Sequence, residues 1–122
     1  MNEDILGQLT QLLEQRKRDK KADSYVASLH AQGIDKILQK VGEESIETIL
    51  AAKDSKMSGQ TDALVHETAD LWFHTMVMLS HLGTDTKAVL DELNRRFEVS
   101  GFEEKSQRQN NNQCRYRENS RP

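Results

Sequence analysis

The sequence has little of the residues that form disulfides, break helices or build β-structure. It contains 1 cysteine, 1 proline and 5% aromatic residues in a chain of 122. Because Cys114 is alone, an internal disulfide and a thiolate metal cluster are excluded, and any metal site must use carboxylates or histidines. Pro122 is the last residue, so no earlier position interrupts a helix through a missing N–H donor. Runs of β-branched or aromatic residues with a period of two are also absent, which predicts an all-α protein.

Long hydrophobic runs are also missing. No apolar segment approaches the roughly 18 residues that a membrane helix requires. The N-terminal residues MNEDILGQL lack the basic start and apolar stretch of a signal peptide. We therefore expect a cytoplasmic protein without a membrane partner. Acidic residues outnumber Lys and Arg by 20 to 17, which argues against nucleic acid as a partner.

The spacing of apolar residues predicts a helical bundle of about five helices. Glycines and capping residues set the expected helix ends, and residues 54–60, DSKMSGQ, are predicted to form a loop. The predicted helices cover residues 4–18, 24–32, 34–53, 61–81 and a segment from about residue 85 that carries Val89, Leu90, Leu93 and Phe97 on one face. We expect one domain over residues 1–108 and a polar, disordered tail over residues 109–122.

The fourth predicted helix has apolar side chains around its whole circumference, which predicts burial on most sides. One small chain has difficulty covering such a helix, so we expect a homodimer whose second copy completes the core. Trp72, on this helix, is interpreted as a core or subunit-interface residue rather than a platform for base stacking. His74 is predicted either to donate to the Asp70 carboxylate or to be a hydrogen-bonded core histidine.

Two groups of carboxylates occupy the third and fourth helices. Glu43, Glu44 and Glu47 fall within about 100° of arc on one helix, while Glu67 and Asp70 are three residues apart on the next. The groups either form ordinary ion pairs, with Lys40 as the nearest cation, or converge between antiparallel helices. A convergent set of carboxylates without cysteine would suit Mg²⁺ or Mn²⁺.

The sequence segments around these carboxylates resemble those of a known group of enzymes. KVGEESIETILAAK followed by HETADLWFHTMVMLSHLG resembles the paired acidic motifs of the all-α nucleotide pyrophosphohydrolases, which include the MazG-like enzymes and the dimeric dUTPases. The flanking segments DSYVASLHAQGIDKILQKVGEE and SGFEEKSQR are similar to those of the phosphoribosyl-ATP pyrophosphohydrolase family in histidine biosynthesis. The resemblance covers residues 23–108.

The resemblance implies Mg²⁺-dependent hydrolysis of the α–β phosphoanhydride of 1-(5-phosphoribosyl)-ATP, giving phosphoribosyl-AMP and pyrophosphate. It also implies a dimer or tetramer and a functional link to the cyclohydrolase that consumes phosphoribosyl-AMP. On this basis we assign the site residues by role. The metal ligands are Glu44, Glu47, Glu67 and Asp70; the catalytic acids are Glu43, Glu44 and Glu47; the substrate-binding residues are Lys36, Lys40, Lys105 and Arg108.

Two other functions share part of this pattern. A house-cleaning pyrophosphohydrolase of noncanonical nucleoside triphosphates would carry the same acidic motifs but not the flanking segments. A non-catalytic metal-binding helical bundle would need the acids for structure alone. The acids on two facing helices favour catalysis, and the segment SGFEEKSQR favours the histidine enzyme.

Overall fold

The computed structural model describes residues 5–18 and 24–98 of the chain. These residues form five α-helices and no strand, which confirms the predicted all-α class. The helices are α1 (Ile5–Arg18), α2 (Tyr25–Gln32), α3 (Ile34–Ser58), α4 (Asp62–His81) and α5 (Thr86–Phe97). None of them combines the length and apolar character that a membrane crossing would need, as far as the described residues show.

Local sequence explains where the helices begin and end. The Ser24 hydroxyl accepts a hydrogen bond from the Ala27 amide at 3.2 Å and caps α2. Gly33 lies between α2 and α3 with a φ of 99°, a conformation that disfavours a side chain. The predicted end of the third helix at Lys53 is wrong, because α3 continues through residues 54–58. No Gly or Pro interrupts that stretch, and α3 ends where Gly59 adopts a left-handed φ of 75°.

A small apolar core joins the first four helices. Its buried residues come from α1, α2, α3 and α4, and they are Leu13, Val26, Leu29, Ile37, Met76 and Val77. The most extensive packing is between α3 and α4, which three residues connect. Such a short connection makes the two helices antiparallel neighbours and brings their middle turns together.

The expected burial of α4 on most sides is wrong for the single chain. Its C-terminal half packs into the core, yet Val65 is 65% exposed and Trp72 is 59% exposed. Trp72 is therefore not a core residue of the protomer. Within residues 5–18 and 24–98, α4 packs against α1 and α3 with one face, and the face that carries Val65 and Trp72 is exposed.

Contacts divide the chain into two units between Thr86 and Lys87. The first unit contains α1 to α4, and with them the predicted acids and the predicted lysines of α3. The described part of the second unit is most of α5, with the half-exposed apolar residues Val89, Leu90 and Leu93 and an ion-pair cluster around Glu92. Lys105, Arg108 and the predicted tail lie outside the described residues.

Candidate functional site

The antiparallel pair α3 and α4 positions the site. The Thr48 hydroxyl donates to the main-chain carbonyl of Glu44 at 2.7 Å and lies 3.2 Å from the carbonyl of Glu67. Its single proton is thus shared between the two helical turns that carry the acids. The contact with Glu67 crosses from α3 to α4, so Thr48 links the turn that carries Glu44 to the turn that carries Glu67.

Three carboxylates meet beside Thr48. One oxygen from each of Glu44, Glu47 and Glu67 lies within 4.8 Å of the others. We call these residues the glutamate cluster. Such crowding of like charges is unfavourable, so the cluster fits a bound cation that would offset the repulsion.

Glu44 is the buried member of the glutamate cluster. It is only 6% exposed, and its Oε2 atom is buried with no hydrogen-bond partner among the described residues. Burial raises the pKa of Glu44, and the nearby carboxylates of Glu47 and Asp70 raise it further. The Lys40 ammonium lies 3.8 Å from the other carboxylate oxygen, Oε1. A buried carboxylate oxygen without a partner is costly, and a cation bound beside it would offset that cost.

A second group lies along α4. Ligand atoms of His66, Glu67 and Asp70 are within 4.8 Å of one another. The His66 Nε2 atom is 3.4 Å from Asp70 Oδ2. Glu67 belongs to both groups, so the glutamate cluster and the α4 group are contiguous. The four acids that we predicted as metal ligands are thereby placed around one region, although no single group contains all four.

Glu43 stands apart from the glutamate cluster. Its carboxylate accepts hydrogen bonds from Gln39 at 2.9 Å and Lys40 at 3.3 Å. These two bonds lower the pKa of Glu43. Lys36 is half-buried and also close enough to favour the charged form of Glu43. The predicted lysines thus lie along α3 on the N-terminal side of the acids, with Lys40 in contact with both Glu43 and Glu44.

His74 is a buried, hydrogen-bonded histidine, the second of the two predicted interpretations. Its Nδ1 atom is 2.8 Å from the main-chain carbonyl of Asp70, not from the carboxylate. A carbonyl only accepts, so Nδ1 carries the proton, and in the neutral ring Nε2 accepts from the Tyr25 hydroxyl at 2.7 Å. Burial raises the pKa of Tyr25, with Lys40 opposing the shift. Tyr25 and His74 therefore connect α2 to the turn of α4 that carries Asp70.

Sequence reasoning missed three residues at the site: Thr48, His66 and Tyr25. His66 had a detectable pattern, because it precedes Asp70 by four residues and neighbours it on a helix. The sequence carries no such pattern for Tyr25, since its contact with His74 joins residues 49 positions apart. Thr48 was equally hidden, because its role depends on the alignment of α3 with α4.

Comparison with protein families agrees with the resemblance found in the sequence. A family model described as phosphoribosyl-ATP pyrophosphohydrolase matches residues 6–97, most of the 122-residue chain. The match spans all of α2, α3, α4 and α5 and nearly all of α1. Both acidic groups, together with Lys36 and Lys40, lie inside it. The chain belongs to the phosphoribosyl-ATP pyrophosphohydrolase family and is a hydrolase that acts on phosphoanhydrides.

Proposed function

We propose that the chain hydrolyses the α–β phosphoanhydride of 1-(5-phosphoribosyl)-ATP, giving phosphoribosyl-AMP and pyrophosphate, and that it requires Mg²⁺. This reaction is the second step of histidine biosynthesis, and an enzyme that opens the purine ring of phosphoribosyl-AMP would consume the product. The observation that carries the proposal is the buried Oε2 atom of Glu44, unpartnered in the described chain and adjacent to Glu47 and Glu67. The family match supplies the substrate.

The proposed metal ligands are Glu44, Glu47, Glu67 and Asp70. Carboxylate oxygens are the ligands that hard divalent cations prefer, which supports Mg²⁺ with Mn²⁺ as a substitute. A bound Mg²⁺ would offset the negative charge of the phosphates and of the departing pyrophosphate. Thr48 contacts the backbone of both Glu44 and Glu67 and so links the two helical turns that carry these acids.

The remaining chemistry is the activation of water. Hydrolysis needs a group that orients a water molecule and accepts its proton, and the candidates are Glu43, Glu44 and Glu47. Glu47 is exposed and lies in the glutamate cluster, so it can reach both solvent and substrate. Glu43 is held by Gln39 and Lys40, which favours a role in positioning the Lys40 ammonium.

Basic residues on two segments are proposed to bind the phosphates of the substrate. Lys36 and Lys40 lie upstream of the acids on α3, where their ammonium groups would approach the triphosphate. The phosphoribosyl phosphate, at the far end of the substrate, needs other cations. Lys105 and Arg108 are our candidates, by resemblance to the closing segment of the family.

We also propose that two copies form a dimer through the outer faces of α3 and α4. Ile46, Ile49 and Leu50 make one helical stripe with about 60% of each residue exposed, and Val65 and Trp72 expose a second stripe on α4. Exposed apolar residues grouped in this way are typical of surfaces that bind another protein. A second copy of the same helix pair would cover both stripes next to the acidic groups. Analytical ultracentrifugation should find a dimer, and Ile49→Asp should shift it toward the monomer.

Product analysis tests the proposed reaction. Phosphoribosyl-ATP should give phosphoribosyl-AMP and pyrophosphate by ³¹P NMR, and a parallel assay should show much slower turnover of ATP, dUTP and dCTP. Preference for dUTP or dCTP would establish the house-cleaning function instead. Absence of turnover on every nucleotide would favour a non-catalytic bundle.

Replacing Lys105 and Arg108 together by Ala should raise KM for phosphoribosyl-ATP without weakening metal binding.

A further inference from the structure

Two hydrogen-bonded pairs of side chains join α2 to α4. The Tyr25 hydroxyl is 2.7 Å from His74 Nε2, and His30 Nδ1 is 2.9 Å from His81 Nδ1. His74 lies one helical turn after Asp70, whereas His81 is the last residue of α4. The two pairs therefore hold α2 at two points along α4, one next to the acids of that helix and one at its C-terminus.

The charges around the two pairs differ. Burial raises the pKa of Tyr25, and of the charged groups Lys40 lowers it while Glu44 raises it. Such effects come from charges a few ångströms away, so the Tyr25 hydroxyl lies beside the candidate site. Burial lowers the pKa of His30, and the charges that act on it come from α1 and from His81. The Tyr25 pair is thus the one that adjoins the predicted lysines and acids.

His74 carries the contact with Tyr25 to the backbone of Asp70. It is 6% exposed, and its Nδ1 atom donates to the main-chain carbonyl of Asp70 at 2.8 Å. This bond leaves Nε2 as the acceptor for the Tyr25 proton. The rings of Tyr25 and Phe73 meet the His74 ring edge-on, with centroids 5.8 and 5.2 Å from its own. Both ring nitrogens are therefore engaged, and the imidazole is held in one orientation.

The same helix α2 leads directly into α3, because Gly33 alone separates the two helices. The Tyr25–His74 pair therefore links the segment that bears Lys40 to the turn of α4 that bears Asp70. We propose that Tyr25 and His74 are positioning residues of the proposed reaction. They set where Asp70 lies relative to Lys40, and so where the metal lies relative to the phosphates. The inference rests on the proposed function, because it concerns the same site.

The test removes one bond from each pair in the full chain. Tyr25→Phe deletes the hydroxyl and keeps the ring, and His30→Leu deletes the nitrogens of the other pair while keeping apolar volume. Circular dichroism checks that both variants fold. At saturating Mg²⁺ we expect Tyr25→Phe to lower kcat for phosphoribosyl-ATP about tenfold, the lower end of the loss for an indirect partner of a metal ligand, while KM changes less than about threefold.

The matched control separates positioning from stability. His30→Leu also weakens the contact of α2 with α4, but it lies away from the acids, so it should keep the kcat of the parent. Equal losses of kcat in the two variants would show that these bonds only stabilise the fold. A parent-like kcat in Tyr25→Phe would refute the inference as well.

A double-variant cycle tests whether Tyr25 acts through His74. His74→Asn removes the nitrogen that accepts from Tyr25 and keeps an N–H group for the Asp70 carbonyl. Adding Tyr25→Phe to this variant should lower kcat by less than about twofold more, because the shared contact is already lost. A further tenfold loss would mean that Tyr25 acts on the substrate directly, against the inference. If His74→Asn does not fold, the two single variants described above decide.

Failure of the proposed function is visible in the parent alone. If the parent prefers another nucleotide, the same comparison of kcat is made on that substrate. If it hydrolyses none, Mg²⁺ affinity decides, and calorimetry measures it without substrate. The affinity should be about tenfold lower in Tyr25→Phe and unchanged in His30→Leu. Equal affinities in the parent and Tyr25→Phe would then overturn the inference.

Discussion

The two halves of α4 differ in whether the polar groups beside them have hydrogen-bond partners. In the C-terminal half, the Ser80 hydroxyl donates to Glu14 at 2.5 Å, and Lys17 donates to the Ser80 carbonyl at 2.6 Å. In the N-terminal half, Glu67 joins a cluster in which the buried Oε2 of Glu44 has no partner in the described chain. The C-terminal half of α4 is therefore joined to α1 by completed hydrogen bonds, whereas its N-terminal half lies beside an unpartnered carboxylate oxygen of α3.

The difference indicates that the C-terminal half of α4 contributes mainly to stability and the N-terminal half mainly to function. Polar groups that α1 satisfies at the C-terminal half join helices and need nothing from solution. Crowded carboxylates at the N-terminal half cost stability until a cation binds, and such a cost is typical of sites that handle charged substrates. Changes in the first region should mainly affect folding, whereas changes in the second should mainly affect activity.

The largest expected effect comes from removing a carboxylate of the site. Glu47→Ala or Asp70→Ala should lower kcat for phosphoribosyl-ATP by about a hundredfold or more, because each loses a proposed metal ligand. Without added metal the melting temperature should not fall, since one repulsive charge has been removed. Asp62→Asn, on the same helix but outside both groups, is the matched control. Inactivation that follows only from unfolding would refute the assignment.

Substitutions in the apolar core are expected to have the opposite effect, a loss of stability without a loss of metal affinity. Ile37 is fully buried, so Ile37→Ala should lower the free energy of unfolding by about 2–5 kcal/mol in a urea titration at fixed protein concentration. Leu82→Ala, at a position that is 63% exposed, should cost less than about 0.5 kcal/mol. The folded fraction of Ile37→Ala should keep the parent affinity for metal. Equal costs for the two variants would contradict the described core.

A smaller effect is expected from the histidine pair near the C-terminus of α4. His30 and His81 stack with their Nδ1 atoms 2.9 Å apart, and His30 Nε2 is buried without a partner in the described part of the structure. Burial lowers the pKa of His30, and His81 and Lys17 lower it further, while Glu14 opposes them. The unfolded chain therefore takes up this proton first as the pH falls.

The sign of the pH effect follows from that shift. The contribution of His30 to stability is fully present above its ordinary pKa of 6.5 and is lost as the pH falls from there through the lower folded pKa. Urea titrations between pH 7.5 and pH 5 should show a decline that is shallower in His30→Gln. An unchanged slope in that variant would show that His30 keeps its ordinary pKa in the folded protein.

The smallest effect is predicted for the C-terminal tail. Residues 110–122 are polar and lie outside the described residues. Truncation after Gln109 should leave kcat, KM and the sedimentation coefficient of the assembly nearly unchanged. A large loss of activity would place the tail at the site.

Much of this comparison could be predicted from the sequence, because helical spacing alone identifies which residues share a face. That rule places Glu43, Glu44 and Glu47 on one face of α3 and Glu67 beside Asp70 on α4, and the resemblance to the family then implies four of these five acids as metal ligands. It could not reveal that Glu44 is buried while Glu43 is exposed, since this depends on how α3 rests against α4. The contact of Tyr25 with His74 depends in the same way on packing between distant segments.

The most direct test of the uncompensated charge is the dependence of stability on Mg²⁺. A cation that binds only the folded chain should raise the free energy of unfolding with concentration, by about 2.7 kcal/mol at one hundred times its dissociation constant. Glu44→Gln keeps the shape of the buried side chain but removes its charge. Without metal it should be at least as stable as the parent, and it should gain far less from Mg²⁺. A parent chain whose stability does not respond to Mg²⁺, or a variant that responds equally, would contradict the account.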